Sequence, residues 1–409
     1  MTDHLSLLIL LVVCVPVLAA LLTALIPTPV IAGRVSSLLA IVTAALSVAI
    51  GVIALAEPKA IHLTAWYQLD PIGGIFVGVI GLVGLGATLV SPRWLRHLSS
   101  SWLHHTRSYR FYYCALNLFW AALLVIPLVK NLGIAWLIIE VTTVVSALLV
   151  SFTAKRNALE AGWKYVILTT LGLAVALLGI VIIYLSEGDS NCGLTCLDWQ
   201  TMGHIAPTTG GAAVVGFVLL IAGFATKIGW APVHNWLPDA HGEAPPPVSA
   251  MLSAALLPAV ILIAWRTAIA LSPAVGESVV QALLLGFGLL SLAIAVPFLW
   301  QSLPWKRLLA YSSLEHMGVL ALGIGFGTPL AIAGVIIHFA GHAIAKSLGF
   351  YVAIPLLRQD AQAAERAALG VARSNPSTAA AMTLGLATLG GLPPLPLFIV
   401  LDASGGRVS

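Results

Sequence analysis

A lysine stands inside an apolar run of this chain, and helix-breaking residues follow it closely. The run reads GFATKIGWAPVHNWLPDAHGEAPPPVSAMLSAALL over residues 223–257 and contains Lys227. A charge without a partner costs several kcal/mol in lipid or among packed apolar helices. Pro232 and Pro238 each remove a helical hydrogen bond, so we expect the helix that carries Lys227 to kink, break or end here.

The composition places this run in a membrane protein. Of the 409 residues, 60% are apolar and 8% are charged, and the mean hydropathy is +1.03, which excludes a soluble domain, a disordered tail or a reader of nucleic acid. Runs long enough to cross a hydrocarbon core of about 30 Å predict an all-α polytopic fold with about twelve transmembrane helices. These runs lie at roughly 5–26, 35–56, 71–91, 111–129, 132–152, 163–185, 211–231, 247–265, 278–300, 308–326, 329–355 and 378–401.

The basic residues predict an orientation in the cell membrane. If the loops alternate between two sides, thirteen of the 19 lysines and arginines fall on one side and four on the other, among them Arg266. The two that remain, Lys227 and Lys346, lie inside spans. Because basic loops stay in the cytoplasm, we predict an extracytoplasmic N-terminus and a cytoplasmic 356–377 loop.

Two loops carry further signals. Cys192 and Cys196 form a C-x3-C pair in the loop predicted to be outside, where a disulfide, two free thiols or a metal site are the alternatives. The disulfide is favoured because the nearest histidine is His204. The 92–110 loop mixes arginines with tryptophans and histidines and is typical of a surface for lipid head groups or for a soluble partner.

A buried acid in the fifth span offers a partner for the lysine. Glu140 lies at mid-span, and Thr143 at i+3 shares its helical face. A pair of Glu140 and Lys227 that changes its separation could pass a proton at modest cost. A static ion pair and an unpaired, protonated acid are the alternatives.

Polar residues follow Lys227 at the predicted cytoplasmic end of its span. They indicate a site of proton entry or a structured mouth, with loop packing and a metal site as alternatives, and no compact repeat of metal ligands is present. These residues are His234, Asp239, His241 and Glu243.

The tenth and eleventh spans contain a second group of ionisable residues. Glu315 lies in the tenth span, and His338, His342 and Lys346 follow at i, i+4 and i+8 in the eleventh, which places them on one helical face. Three aligned ionisable groups inside one span favour a proton relay over a packed core.

An internal sequence similarity predicts a structural repeat. Residues 223–232 and 385–394 match at five of ten positions, including Gly229 with Gly391 and a proline at the end of each segment. An offset of five spans reverses membrane orientation, so we predict an inverted repeat, with a second helix break at Pro393 and Pro394. The predicted units are scaffold helices over 1–110, a first half-channel over 111–268 and a second over 269–409.

The segment WLPDAHGEAPPPVSAMLS, together with SSLEHMG and HAIAKSL, resembles the antiporter-like subunits of respiratory complex I, of Mrp sodium/proton antiporters and of membrane-bound hydrogenases. Within that family it is most similar to the large membrane subunit of formate hydrogenlyase and related group 4 hydrogenases. The resemblance implies two inverted five-helix repeats with broken helices 7 and 12. It also implies a first half-channel built on Glu140 and Lys227 and a second built on His338, His342 and Lys346.

The chain departs from the family pattern at three places. Ser253 stands where complex I relatives often carry a histidine or lysine, Leu401 stands where a charged residue is expected, and the sequence ends at Ser409 with the second repeat incomplete. Asp402 follows Leu401 directly. We therefore expect a complete first half-channel and a second one that is altered.

These observations lead to one main functional hypothesis and two alternatives. The first is a proton-translocating subunit that is not catalytic alone and couples redox energy from partner subunits of a hydrogenase-like or complex I-like oxidoreductase to proton movement. It is expected to hold no redox cofactor and no metal, because no nucleotide loop, iron–sulfur cysteine set or haem ligand pair is present. The alternatives are a cation/proton antiporter subunit without redox partners and a truncated, non-conducting structural subunit.

Overall fold

The computed structural model describes residues 2–56, 60–62, 66–96, 106–186, 193–202, 210–356 and 376–392. Within these ranges almost every long apolar run forms a helix, because a helix satisfies its own backbone hydrogen bonds in lipid. The helices are α1 Thr2–Leu25, α2 Pro29–Ala56, α3 Pro71–Leu95, α4 Thr106–Val125, α5 Leu132–Val150, α6 Arg156–Ser186, α7 Gly210–Ile228, α8 Trp236–Glu243, α9 Pro246–Met251, α10 Leu257–Val275, α11 Glu277–Leu299, α12 Trp305–Phe326, α13 Pro329–Leu356 and α14 Pro376–Leu389.

Eleven spans in the described part of the chain are long and apolar enough to cross a membrane. The predicted all-α polytopic fold is therefore confirmed. The first eleven predicted spans each correspond to one of these, whereas the twelfth is described only as α14 and Gly390–Leu392. A small antiparallel hairpin, β1 Ile61–His62 with β2 Gln68–Leu69, joins α2 to α3.

The eighth span differs from the prediction at its far end. It extends over Pro246–Val275, so Arg266 lies inside α10 and not in a loop as the sequence predicts. The guanidinium is buried and pairs with Asp70 at 2.6 Å, and it also donates to the carbonyl oxygen of Pro127 at 2.8 Å. An apolar helix tolerates a buried arginine whose charge is paired with an aspartate. The sequence pattern does not show this pair, because the aspartate lies on another part of the chain.

The seventh span breaks where the proline and glycine pattern predicts. The helix α7 ends at Ile228, Gly229 adopts a positive φ of 79°, and the amide of Trp230 donates back to the carbonyl of Ala225 at 2.9 Å. Pro232 lies in the break. Pro238 instead lies in the first turn of α8, where backbone donors have no helical partner in any case.

Residues 385–394, which match residues 223–232 in sequence, contain the end of a helix, which has the same backbone geometry as the end of α7. After α14, Gly391 adopts a φ of 64° and the amide of Leu392 donates to the carbonyl of Ala387 at 3.0 Å. In the alignment of the two segments, Gly391, Leu392 and Ala387 take the positions of Gly229, Trp230 and Ala225. The shared helix ending supports the predicted repeat, although Pro393 and Pro394 lie outside the described residues.

The eighth span lies at the centre of the bundle. Its most apolar 18-residue stretch is completely buried. The first part, α9, packs on α3 and α13, and α10 packs on α7. A π-helical turn, Leu252–Leu256, separates the two parts. Such turns often occur at functional sites, and this one contacts α13, the helix that carries His338, His342 and Lys346.

Candidate functional site

Neutral hydroxyl groups surround the buried amine of Lys227. Its Nζ donates to Oγ1 of Thr143 on α5 at 2.7 Å and to the hydroxyl of Tyr165 on α6 at 2.6 Å. Nζ also lies 4.7 Å from the centre of the Tyr165 ring, close enough for a cation–π contact. The Tyr165 hydroxyl is in turn 2.7 Å from Oγ of Ser146. We call Lys227, Thr143, Tyr165 and Ser146 the first polar cluster.

Glu140 does not pair with Lys227 in this structure. Among the described residues, no carboxylate lies within 4.0 Å of Nζ of Lys227 as an ion pair, so the static ion pair considered above is not present. Oε1 of Glu140 instead accepts a hydrogen bond from Thr170 of α6 at 3.2 Å, and its Oε2 is buried without a partner in the described part of the chain. The two residues remain in neighbouring positions because Thr143, one helical turn from Glu140, contacts the lysine.

Three histidines meet between α12 and α13. Nδ1 of His316 lies 3.0 Å from Nε2 of His338, and the ring centre of His316 lies 5.0 Å from that of His342. All three side chains are buried. The predicted stripe on α13 therefore faces the helix that carries His316, a residue that the sequence analysis does not assign to the site.

Ser253 connects these histidines to Lys346. Its carbonyl oxygen contacts Nε2 of His342 at 3.4 Å, and its hydroxyl lies 2.7 Å from the hydroxyl of Ser313. Both Ser313 and Lys346 donate to the carbonyl oxygen of Leu309, at 2.9 and 2.7 Å. We call Ser253, Ser313, His316, His338, His342 and Lys346 the second polar cluster.

Glu315 lies beside the second polar cluster. It is half-buried on α12 and close enough to Lys346 to interact electrostatically, yet it forms no ion pair within 4.0 Å among the described residues. Its part in proton translocation stays a prediction.

Asp239 joins three helices at the predicted mouth. One carboxylate oxygen pairs with Lys164 of α6 at 3.2 Å, and the other pairs with Arg307 of α12 at 2.8 Å. Beside it, His234 and Tyr311 line a cavity of about 270 Å³. Asp239 and Tyr311 are partly exposed, as a mouth requires, whereas His234 is buried, with 8% of its surface exposed. Glu243 ends α8 half-buried.

His241 is placed differently from the hydrated position that we expect at a mouth. Its side chain is fully buried, and its ring lies 5.6 Å from that of Phe350 and 6.4 Å from that of Trp236. Burial, with the charges of Lys346 and Lys306 next, lowers the pKa of His241 to about 3. Burial also lowers the pKa of His234. Both imidazoles are therefore neutral at physiological pH.

The remaining predicted positions are partly outside the described residues. Cys196 is buried in the turn Gly193–Leu197 and takes part in a disulfide, whereas Cys192 lies outside the described residues. Leu401 and Asp402 lie outside them as well. Across the residues that the structure describes, no three or more His, Cys, Asp or Glu side chains form a group able to hold a metal ion.

Sequence reasoning missed two contacts of these clusters. Tyr165 gives no signal, because a tyrosine near the end of an apolar helix is typical of a membrane interface. His316 offers a weak signal, since it follows Glu315 in a span that already contains a buried acid. Each residue lies near its cluster because of which helices pack against each other. The sequence pattern does not show which helices are neighbours.

The fold and the two buried polar clusters define a polytopic membrane subunit of the antiporter-like class. Residues 129–403 match the family described as NADH:quinone oxidoreductase/Mrp antiporter, TM. Since this match covers more than half of the chain, the protein belongs to that family.

Two curated relatives support the assignment. The chain is 31% identical over 338 residues to the hydrogenase-4 component F homolog of Methylacidiphilum infernorum (isolate V4), which covers 82% of this chain and 71% of the relative. It is 30% identical over 361 residues to NADH-quinone oxidoreductase subunit N of Azorhizobium caulinodans, covering 86% of this chain and 72% of the relative. Hydrogenase and complex I proteins therefore both occur among its relatives.

Two solved structures share the fold. A chain of the membrane-bound sulfane sulfur reductase, an archaeal respiratory membrane complex, superimposes with a TM-score of 0.83 at 20% identity, covering 98% of this chain and 82% of that one. A chain of the Mrp complex from Dietzia sp. DQ12-45-1b has a TM-score of 0.79 at 20% identity, covering 98% and 75%. At this identity the likeness concerns the fold alone.

Proposed function

We propose that this chain is the proton-translocating membrane subunit of a hydrogenase-like or complex I-like oxidoreductase, and that it couples redox energy from partner subunits to proton movement. The observation that supports this most directly is the setting of Lys227. It is a fully buried amine at the end of a broken helix, and hydroxyl groups hold it rather than a carboxylate.

This setting suits an amine that gains and releases a proton. A lysine locked in a buried ion pair is held charged by its partner, and breaking such a pair costs about 3–5 kcal/mol. Hydroxyl oxygens stabilise the ammonium through hydrogen bonds without a compensating charge, and the same hydroxyls donate to the neutral amine. Glu140, which lies one helical turn from Thr143, is the nearby acid that exchanges the proton with Lys227 when their separation changes.

The second polar cluster continues the path in this proposal. Its histidines and Lys346 are titratable groups, and the hydroxyls of Ser253 and Ser313 both donate and accept hydrogen bonds. Nε2 of His316 and Nδ1 of His342 have no protein partner in the described part of the chain, so both atoms are free to take part in transfer. Glu315 is the acid of this half. The proton enters near Asp239, whose side chain is partly exposed, and passes the buried His234.

The proposal includes an orientation and a setting. The N-terminus is extracytoplasmic in the cell membrane, because the basic loops then face the cytoplasm. The partners are the other membrane and peripheral subunits of a multisubunit complex. The sulfane sulfur reductase and the Mrp structure are both complexes. The redox cofactors belong to the partner subunits, and this chain holds none.

The test is a substitution of the central amine in the assembled complex. We expect Lys227→Met, which keeps an unbranched apolar stem, to assemble and to lose proton translocation. Lys155→Met, at an exposed lysine, is the control and should translocate normally. The measurement is the proton-to-electron ratio in proteoliposomes. An assembled Lys227→Met complex that pumps at the unmodified ratio would refute the role assigned to Lys227.

A second candidate is a cation/proton antiporter subunit that acts without redox partners. Membership in a family whose description includes the Mrp antiporters favours it. It predicts sodium- or potassium-dependent proton exchange in vesicles that contain no electron donor. Co-purification with hydrogenase-type subunits in mild detergent, without such exchange, would exclude it.

A further inference from the structure

A groove lies between α2, α3 and α4 at the end of the bundle opposite the hairpin. Its volume is about 630 Å³. One wall is formed by α2, from Val30 to Ile41, and the other by the end of α3 and by Tyr113 of α4. The groove is separate from both polar clusters, and the lining is apolar except for Arg34, Arg96, Ser37 and the tyrosine hydroxyl.

Two arginines mark one end of this groove. The helices α2 and α3 are antiparallel neighbours, so Arg34 in the second turn of α2 and Arg96 just after α3 lie at the same end. Both side chains are exposed, and neither forms an ion pair among the described residues. Nε of Arg96 donates to the carbonyl of Pro92 at 3.2 Å, which orients the guanidinium.

The surrounding sequence adds positive charge without any acid. Residues 26–34 and 92–110 contain no aspartate or glutamate, and they contain five arginines. An anion that enters the groove therefore meets no repulsive carboxylate from these segments. Basic pockets between transmembrane helices on the cytoplasmic side are known to take lipid head groups.

The apolar wall beyond Arg34 is long enough for most of one leaflet. Leu38 and Ile41 lie beyond Arg34 on α2, and both are largely exposed. Arg34 and Ile41 are separated by about 10 Å along a helix, at 1.5 Å per residue. One leaflet is about half of a hydrocarbon core of about 30 Å. An acyl chain that starts at the arginines would therefore follow this wall across about two-thirds of a leaflet.

We propose that this groove binds an anionic phospholipid, whose phosphate contacts Arg34 and Arg96 and whose acyl chain lies along the α2 wall from Arg34 to Ile41. The combination of charge and shape argues for this occupant. A free phosphate would use the arginines and leave the apolar wall uncovered. A helix of another subunit would cover the wall and leave both arginines without a counter-charge unless it brought an acid. A phospholipid satisfies both parts.

The test measures lipid binding by the full-length chain in mild detergent. In native mass spectrometry, phosphatidylglycerol should bind more tightly than phosphatidylcholine. The double variant Arg34→Gln/Arg96→Gln should lose about thirtyfold in affinity for phosphatidylglycerol, since each arginine near an anionic lipid contributes on the order of a five- to sixfold factor. Its weak binding of phosphatidylcholine should not change.

Two further variants separate the groove from the general surface charge. Arg93→Gln removes an exposed arginine from the same helix end that does not line the groove, and it should bind phosphatidylglycerol normally. Leu38→Trp narrows the groove without changing charge and should weaken binding. Equal affinity for the two lipids, unchanged binding by the double variant, or displacement by inorganic phosphate alone would each overturn the proposal. None of these measurements depends on proton translocation.

Discussion

The hydroxyl of Tyr165 accepts a hydrogen bond from Nζ of Lys227 at 2.6 Å, while the ring of the same tyrosine lies 4.7 Å from that nitrogen. The tyrosine thus contacts the amine through two different groups. Its hydroxyl continues to Ser146, so the contact also extends the hydrogen-bonded path away from the lysine. This relationship, rather than an ion pair with Glu140, holds the buried amine in place in the structure.

Tyr165→Phe should therefore impair proton translocation while the fold is kept. The substitution retains the ring and its cation–π contact, and it removes a hydrogen bond to a charged group, which is worth about 1.5–3 kcal/mol. We expect the translocation rate in proteoliposomes to fall by about tenfold or more, measured by the quenching of a pH-sensitive dye.

Tyr184→Phe on the same helix is the matched control for this experiment. Tyr184 is 38% exposed and lies near the other end of α6, so its variant should translocate protons normally. If Tyr165→Phe and Tyr184→Phe gave the same rate, the hydroxyl of Tyr165 would have no part in the transfer.

Much of this fold could be predicted from the sequence because a membrane makes each span a continuous apolar run. The break after α7 was also predictable, since Pro232 has no amide hydrogen and Gly229 adopts a positive φ that few other residues tolerate. The helical spacing of His338, His342 and Lys346 correctly placed all three on one buried face.

The contacts between helices were not predictable in the same way. Periodicity shows which face of a helix is polar, and it does not show which other helix lies opposite that face. For this reason the sequence indicates neither the place of His316 beside the other histidines nor the contacts of Lys227 with Thr143 and Tyr165. The ion pair of Arg266 with Asp70 was missed for the same reason, because 196 positions separate its partners.

The packing of α6 against α7 gives a second prediction, about stability. A Cβ atom at Gly172 would overlap the hydroxyl of Thr226, which precedes Lys227, whereas a Cβ atom at Gly286 in α11 would meet open space. Gly172→Ala should therefore destabilise the protein by about 1–3 kcal/mol through overpacking. Gly286→Ala should be neutral or stabilise it by up to about 1 kcal/mol, because alanine favours a helix.

Thermal unfolding of the two glycine variants in the same detergent provides the measurement. Both changes add one methyl group to a helix in the membrane. The difference in stability between the two variants therefore reflects the space around each glycine and not the glycine-to-alanine change as such. A Gly172→Ala protein that is as stable as the Gly286→Ala protein would show that α6 and α7 are not in close contact near Gly172 and Thr226.

Ser253 provides the third prediction, because it contributes two different groups to the second polar cluster. Ser253→Ala removes the hydroxyl that contacts Ser313 and leaves the carbonyl that contacts His342. A neutral hydrogen bond is worth about 1 kcal/mol, so we expect translocation to fall about fivefold rather than to vanish. The matched control is Ser272→Ala in the same span, whose hydroxyl bonds only within its own helix. Proton flux should be unchanged in that control, and an equal rate for both variants would place the hydroxyl of Ser253 outside the path.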